Sequence, residues 1–149
     1  MEIAFRAVNA RERTEHELRA FLERRRLEAP VIEEAIAEMV NLGFVDDTGY
    51  AQRFADDRRL LDRWGSERIA RDLARRGVDR DAIEGALSGV ERGDEMQAAV
   101  ELLDRRYKSA FDGDRDRDKA WRMLVRRGYE AEIAYEAVRR HERGLDHAA

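Results

Sequence analysis

The sequence predicts an all-α protein, an elongated array of tandem three-helix repeats whose third unit is truncated. Three observations carry this. First, one fifteen-residue pattern occurs three times: "LERRRLEAPVIEEAI" at 22–36, "LARRGVDRDAIEGAL" at 73–87 and "LVRRGYEAEIAYEAV" at 124–138, all at a gap-free interval of 51 residues. A period of that size, holding two similar helices and a more variable third, is the signature of a helical repeat array. Second, a single proline and an abundance of Ala, Arg, Glu and Leu favour helix throughout the 149 residues. Third, 42% of residues are charged and the mean hydropathy is -0.76, yet 43% are hydrophobic. That is too apolar for disorder and suits helices with narrow apolar stripes and charged outer faces.

The elements follow in order. Residues 3–10 read as a short extra helix anchored by Ile3, Phe5 and Val8, within a leading segment 1–13. Repeat 1 spans 14–64. Thr14 with Glu17 forms a capping box for a helix that buries Leu18, Phe21 and Leu22 and ends at Arg24-Arg25. Gly77 and Gly128 follow the later arginine pairs, where a residue of positive φ ends a helix. Arg26 stands in their place in the first copy, so its turn is expected to be strained or differently shaped. The second helix of repeat 1, with Pro30 in its first turn, carries Val31, Ile32, Ala35, Ile36 and Met39 on one face. The third starts at Asp46 or Asp47 and places Tyr50, Phe54 and Leu61 on one side.

Repeat 2, residues 65–113, opens at Gly65-Ser66 and buries Ile69 and Leu73. It then repeats the comb with Ala82, Ile83, Ala86, Leu87 and Val90, and adds a third helix with Met96, Ala99, Val100, Leu103, Tyr107 and Ala110. Residues 111–118, "FDGDRDRD", are the expected joint to a partial repeat 3 at 114–149. There Ala120, Trp121, Met123, Leu124 and Val125 precede the turn, and Ile133, Ala134, Ala137 and Val138 follow it. A frayed tail is expected after His141. The small residue shared by the second helices, Ala35, Ala86 or Ala137, lets the first helix cross close by.

The same residues exclude several kinds of chemistry. There is no cysteine, hence no disulfide or thiolate site, which fits a reducing cytoplasm, and no apolar run long enough for a membrane span. Asp112, Asp114, Asp116 and Asp118 alternate as in a calcium loop, but the sixth position is Arg117 rather than Gly and the twelfth Met123 rather than Glu. The pairs Asp46-Asp47 and Asp56-Asp57 point about 100° apart on a helix and make no acid–base site. His16, His141 and His147 are scattered, and no nucleophile triad or phosphate-cradling loop is present. No catalysis, cofactor or metal is expected.

Charge is banded. Glu28 to Asp47 holds six acids and no Lys or Arg, Arg53 to Arg80 nine Arg against six acids, Asp81 to Asp104 seven acids and one Arg, and Arg105 to Arg127 nine basic residues against four acids. The arginine pairs complement helix dipoles, each for roughly 0.3 to 1 kcal/mol. That leaves the banding unexplained, and it suits two partners of opposite sign, a phosphate backbone and a basic protein surface, although the net charge is only -4. The candidate contact residues are Arg24, Arg25, Arg53, Arg58, Arg59, Arg63, Arg68, Arg71, Arg75, Arg76, Arg126 and Arg127. Trp64, Trp121, Tyr107, Tyr129 and Tyr135 are candidates either for base stacking or for packing.

"RERTEHELRAFL" at 11–22, "GFVDDTGYAQRFADDR" at 43–58, "GSERIARDLARRGVDRDAIEGAL" at 65–87 and "AWRMLVRRGYEAEIAYEAV" at 120–138 together resemble the RecX regulatory proteins that act on the bacterial recombinase RecA. The resemblance implies a curved chain of three-helix units lying along a recombinase filament on single-stranded DNA. It implies inhibition of ATP hydrolysis and strand exchange, with no catalysis of its own, in recombination, DNA repair and the SOS response. Weak direct DNA binding, a monomeric state, a cytoplasmic location and no membrane association belong to the same expectation. Two other readings stay open from the residues themselves: a stand-alone helical DNA-binding module, and an interaction scaffold for another partner.

Overall fold

The structure, a computed structural model, describes residues 1–148; it is helical throughout, with no strand among those residues. The helices are α1 (Glu2–Ala10), α2 (Glu15–Arg24), α3 (Ala29–Asn41), α4 (Asp47–Asp57), α5 (Ser66–Arg75), α6 (Arg80–Leu87), α7 (Arg92–Arg106), α8 (Asp114–Arg126) and α9 (Ala131–Ala148). Helix α4 runs on as a π-helical turn, Arg58–Asp62. The chain divides into two compact units, one of residues 1–54 with 71–86, the other of 55–70 with the chain from Leu87 onward.

In the first unit α1, α2 and α3 share a core of Ala4, Ala7, Leu18, Leu22, Ile32, Ala35, Ile36, Met39 and Val45. The capping box predicted at Thr14 is present, with Glu17 N–H donating to Thr14 Oγ1 (3.1 Å) and Thr14 N–H to Glu17 Oε1 (3.0 Å). In the second unit α7, α8 and α9 enclose Met96, Ala99, Leu102, Leu103, Ala120, Leu124, Tyr129, Ile133, Ala134 and Ala137. The first and third arginine-pair hairpins pack with the helix before them, α1 on α2–α3 and α7 on α8–α9. The sequence grouping joins each hairpin to the helix after it. An interval of 51 residues is the same wherever the unit is opened.

Other expectations change for local reasons. Helix α1 buries the small residues Ala4 and Ala7, while Ile3 and Phe5 stay exposed and Val8 sits at the core's edge. Val31 is exposed, one position outside the α3 stripe. Leu61 is exposed, because the π-helical turn winds 58–62 more widely than an α-helix and rotates it off the face of Tyr50 and Phe54. Ala110 lies beyond the end of α7 and is exposed. The tail expected after His141 is helical: α9 continues to Ala148, and His141 is buried with its Nδ1 2.6 Å from Asp104 Oδ1.

The three turns after the arginine pairs share one conformation. Gly77 (φ 82°) and Gly128 (φ 100°) are left-handed, and so is Arg26 (φ 60°). The first copy keeps the shape and carries the strain, about 1 to 2 kcal/mol for a residue with a Cβ. Why glycine is required in the later copies is visible in their surroundings. A Cβ on Gly77 would overlap Cβ and Cγ of His16, and one on Gly128 would lie 2.6 Å from the backbone nitrogen of Arg68. Arg26 is exposed and meets no such neighbour.

Candidate functional site

Both close approaches belong to a junction that recurs within each unit. In the first, Thr14 Oγ1 donates to the carbonyl of Arg76 (2.6 Å). In the second, the N–H of Gly65 donates to the carbonyl of Arg127 (2.8 Å) and that of Glu67 to Gly128 (3.0 Å). Thr14 and Gly65, like Arg76 and Arg127, are 51 positions apart. The start of one arginine-pair helix thus receives the end of the next, and free helix-terminal groups satisfy one another.

This junction divides the arginine pairs. The second arginine of the later copies points inward. Arg76 Nη1 donates to Tyr50 Oη (2.8 Å), its guanidinium stacks on Phe54 at 4.8 Å, and Asp72 and Glu17 lie at 3.4 and 3.8 Å. Burial works against its charge, but Tyr50, Asp72 and Glu17 outweigh it and raise its pKa. Arg127 Nη1 donates to the carbonyl of Asp62 (2.8 Å) and Tyr129 Oη to that of Arg63 (2.9 Å), capping the end of the π-helical turn. The first arginine of each pair, Arg24, Arg75 and Arg126, is exposed. Arg75 pairs with Asp72 on its own helix. Arg25 is exposed and lies over Phe21 at 4.8 Å.

The remaining candidates fall into the same two groups. Arg59 binds Ser66 Oγ (2.7 Å) and approaches the buried Glu95 (3.5 Å). Glu95 also accepts from Ser66 N (3.1 Å), so a carboxylate of α7 caps the start of α5. Arg58 pairs with Asp62 (2.5 Å), Arg63 with Glu101 (3.6 Å) and Arg53 with Glu12. Arg63 is itself left-handed, φ 55°. Arg68 lies 3.9 Å above the half-buried Trp64 ring, with Arg58 at 5.9 Å. Arg71 is exposed. The outward-facing set is therefore Arg24, Arg25, Arg71, Arg75 and Arg126, while Arg58, Arg59, Arg63, Arg76 and Arg127 are tied into the protein, as are Arg53 through Glu12 and Arg68 through the Trp64 ring.

The aromatic residues separate too. Tyr129 is buried, and burial pushes its phenol up to about 12. Tyr107 packs on Phe111 and His141, and Trp121 Nε1 donates to the carbonyl of Ala131 (3.1 Å). Tyr135 is exposed, with Arg139 5.8 Å from its ring. The alternating aspartates open α8: Asp116 accepts from Asp112 N, Asp114 pairs with Arg117 and Asp118 with Arg122. Sequence reasoning did not find Tyr50 and the Asp62 carbonyl, which anchor Arg76 and Arg127, or the Glu95 cap, since each partner lies on another helix. Among the described residues no helix is long and apolar enough to cross a membrane.

Fold and site together define a class of all-helical protein in which three-helix domains repeat and present arginines at helix ends. Family models for the first, second and third three-helix domains of RecX match residues 1–39, 46–87 and 93–138. The chain is 34% identical to the regulatory protein RecX of Mycolicibacterium vanbaalenii, over 91% of this chain and 78% of that one. It is 35% identical to that of Deinococcus radiodurans, over 91% and 65%. The crystal structure of RecX from Lactobacillus salivarius superposes with a TM-score of 0.80 at 19% identity, covering 95% and 93% of the two chains. The chain belongs to the RecX family of regulatory proteins.

Proposed function

We propose that this protein is a non-enzymatic regulator of a RecA-type recombinase, binding the recombinase filament on single-stranded DNA and depressing its ATP hydrolysis and strand exchange. The observation that carries the reading is the split within the arginine pairs. The dipole argument treats both members alike, yet Arg76 and Arg127 are held inside while Arg24, Arg75 and Arg126 are left at the surface at the same position of each copy. Exposed guanidinium groups suit phosphate and carboxylate partners, which they meet in bidentate fashion. Family membership supports a regulatory role.

The test is single-strand-dependent ATP hydrolysis by the cognate recombinase with increasing amounts of this protein. Hydrolysis should fall at substoichiometric to equimolar ratios, and the triple variant Arg24→Glu, Arg75→Glu, Arg126→Glu should inhibit at least tenfold less well while staying helical by circular dichroism. Unchanged hydrolysis at large excess and low salt would overturn the proposal.

A further inference from the structure

The acidic band from Glu28 to Asp47 takes no part in the arginine junctions. In the first unit it lines two adjoining grooves of about 580 and 370 Å³, which share Glu15 and Val40. Their floor is apolar: Ile36 and Val45 are buried beneath, Ala37 lies along it, and Val40 stands 45% exposed at the point the two grooves share. Leu42, next along the chain beyond Asn41, is 53% exposed.

The walls are one-signed. Glu33 is compensated by Arg19 (2.8 Å), whose hydrogen bond lowers the Glu33 pKa. Glu34 and Glu38, an i,i+4 pair of like charges on α3, have no Lys or Arg partner among the described residues. Such a pair costs an isolated helix about 0.2 to 0.5 kcal/mol. Asp46 and Asp47 close the far end. Burial raises the pKa of Asp47, the hydrogen bond it accepts from Glu15 N–H opposes this, and the charges of Glu15, Asp79 and Asp46 add to the rise. A phosphate backbone would be repelled here.

We infer that this groove is a docking site for a basic amphipathic helix of a protein partner, its apolar side chains seated on Ala37 and Val40 and its Lys or Arg residues against Glu34, Glu38 and Asp46. An amphipathic helix laid in a groove is a common recognition mode, with anchors at i, i+3, i+4 and i+7. The requirement is apolar floor and acidic wall together, which separates this occupant from a plain cation or a nucleic acid. The surface is distinct from the outward arginines and does not rest on the identity of the recombinase.

The experiment uses the full chain and a fluorescein-labelled fourteen-residue Leu/Lys peptide with leucines at helical spacing, read by anisotropy. Binding in the micromolar range is expected, weakened at least tenfold by Glu34→Lys with Glu38→Lys and, independently, by Val40→Ser. The control Asp81→Lys with Glu84→Lys, on α6, should leave it unchanged. A photo-reactive leucine in the peptide should cross-link within residues 34–46. A sequence-scrambled peptide of the same charge that binds equally well would overturn the proposal. So would an α6 variant as damaging as the α3 one, or cross-links elsewhere. Self-association by analytical ultracentrifugation that the α3 variant abolishes would also overturn it, by assigning the groove to a second copy of this chain.

Discussion

Gly77 lies against His16 so closely that a Cβ on the glycine would overlap Cβ and Cγ of the histidine. The histidine Cβ is fixed by the backbone, and no rotamer moves it away. The glycine therefore serves a left-handed turn and a close approach at once, and Gly128 does the same against Arg68.

Arg26 answers only the first of these demands. Arg26→Gly should raise stability by a few tenths to about 1 kcal/mol, the left-handed penalty relieved less the extra entropy of the unfolded chain. Gly77→Ala and Gly128→Ala should each lose more than about 2 kcal/mol, since backbone strain adds to overlap. Urea denaturation of the three variants, followed by circular dichroism, gives the comparison; equal effects at 26 and 77 would contradict it.

Thr14 does two things with one hydroxyl, accepting from Glu17 N–H and donating to the carbonyl of Arg76. Thr14→Ala should cost about 1 to 2 kcal/mol. Thr14→Ser, which keeps the hydroxyl, should recover most of it in the same denaturation series.

Tyr129 gives an alkaline signature. Its folded pKa of about 12 lies above the ordinary value near 10, so the neutral phenol is the form the fold prefers. The contribution is fully present below about pH 10 and is lost as pH rises toward 12, amounting to about 2 to 3 kcal/mol at most. Tyr129→Phe should lose about 1 kcal/mol at pH 7, through the hydrogen bond to Arg63, and should lack this part of the alkaline loss. Unfolding midpoints at pH 7, 9 and 11 distinguish the two proteins.

The arginines should divide by orientation. Arg76→Ala and Arg127→Ala should each cost about 1 to 3 kcal/mol, by removing charge-assisted bonds to Tyr50 and to the carbonyl of Asp62. Arg24→Ala, Arg71→Ala and Arg126→Ala should stay within about 0.5 kcal/mol of the parent. Thermal melts decide between this split and a common dipole role, which predicts equal small losses at every helix end.

How much of this could be read from the sequence depends on range. Helix caps, the glycine turns and the buried stripes of α2, α3, α8 and α9 are local patterns, and Thr14, Leu18, Leu73, Gly77, Leu124 and Gly128 sit as expected. Arg26 shows why a departure from pattern was readable as strain: the turn's shape is fixed by its neighbours in the repeat. The inward turn of Arg76 and Arg127 was not readable, because it depends on Tyr50 and Asp62, which no spacing rule ties to them. Nor was the packing of α1 on α2 and α3, made by Ala4 and Ala7 rather than the larger Ile3 and Phe5. The exposure of Leu61 follows from a single π-helical turn, for which the run "RRLLD" offers no signal.

The two units interleave along the chain: residues 55–70 serve the second unit, and 71–86 return to the first. During synthesis the first unit is complete only once residue 86 has emerged, after the opening segment of the second has already been made. A single cut keeps the first unit whole only after residue 86 and the second only before residue 55, each time with a segment of the other unit attached, so no single cut separates the two. Truncation therefore always breaks at least one unit, and the arginine-pair hairpins are best interrogated by substitution in the intact chain.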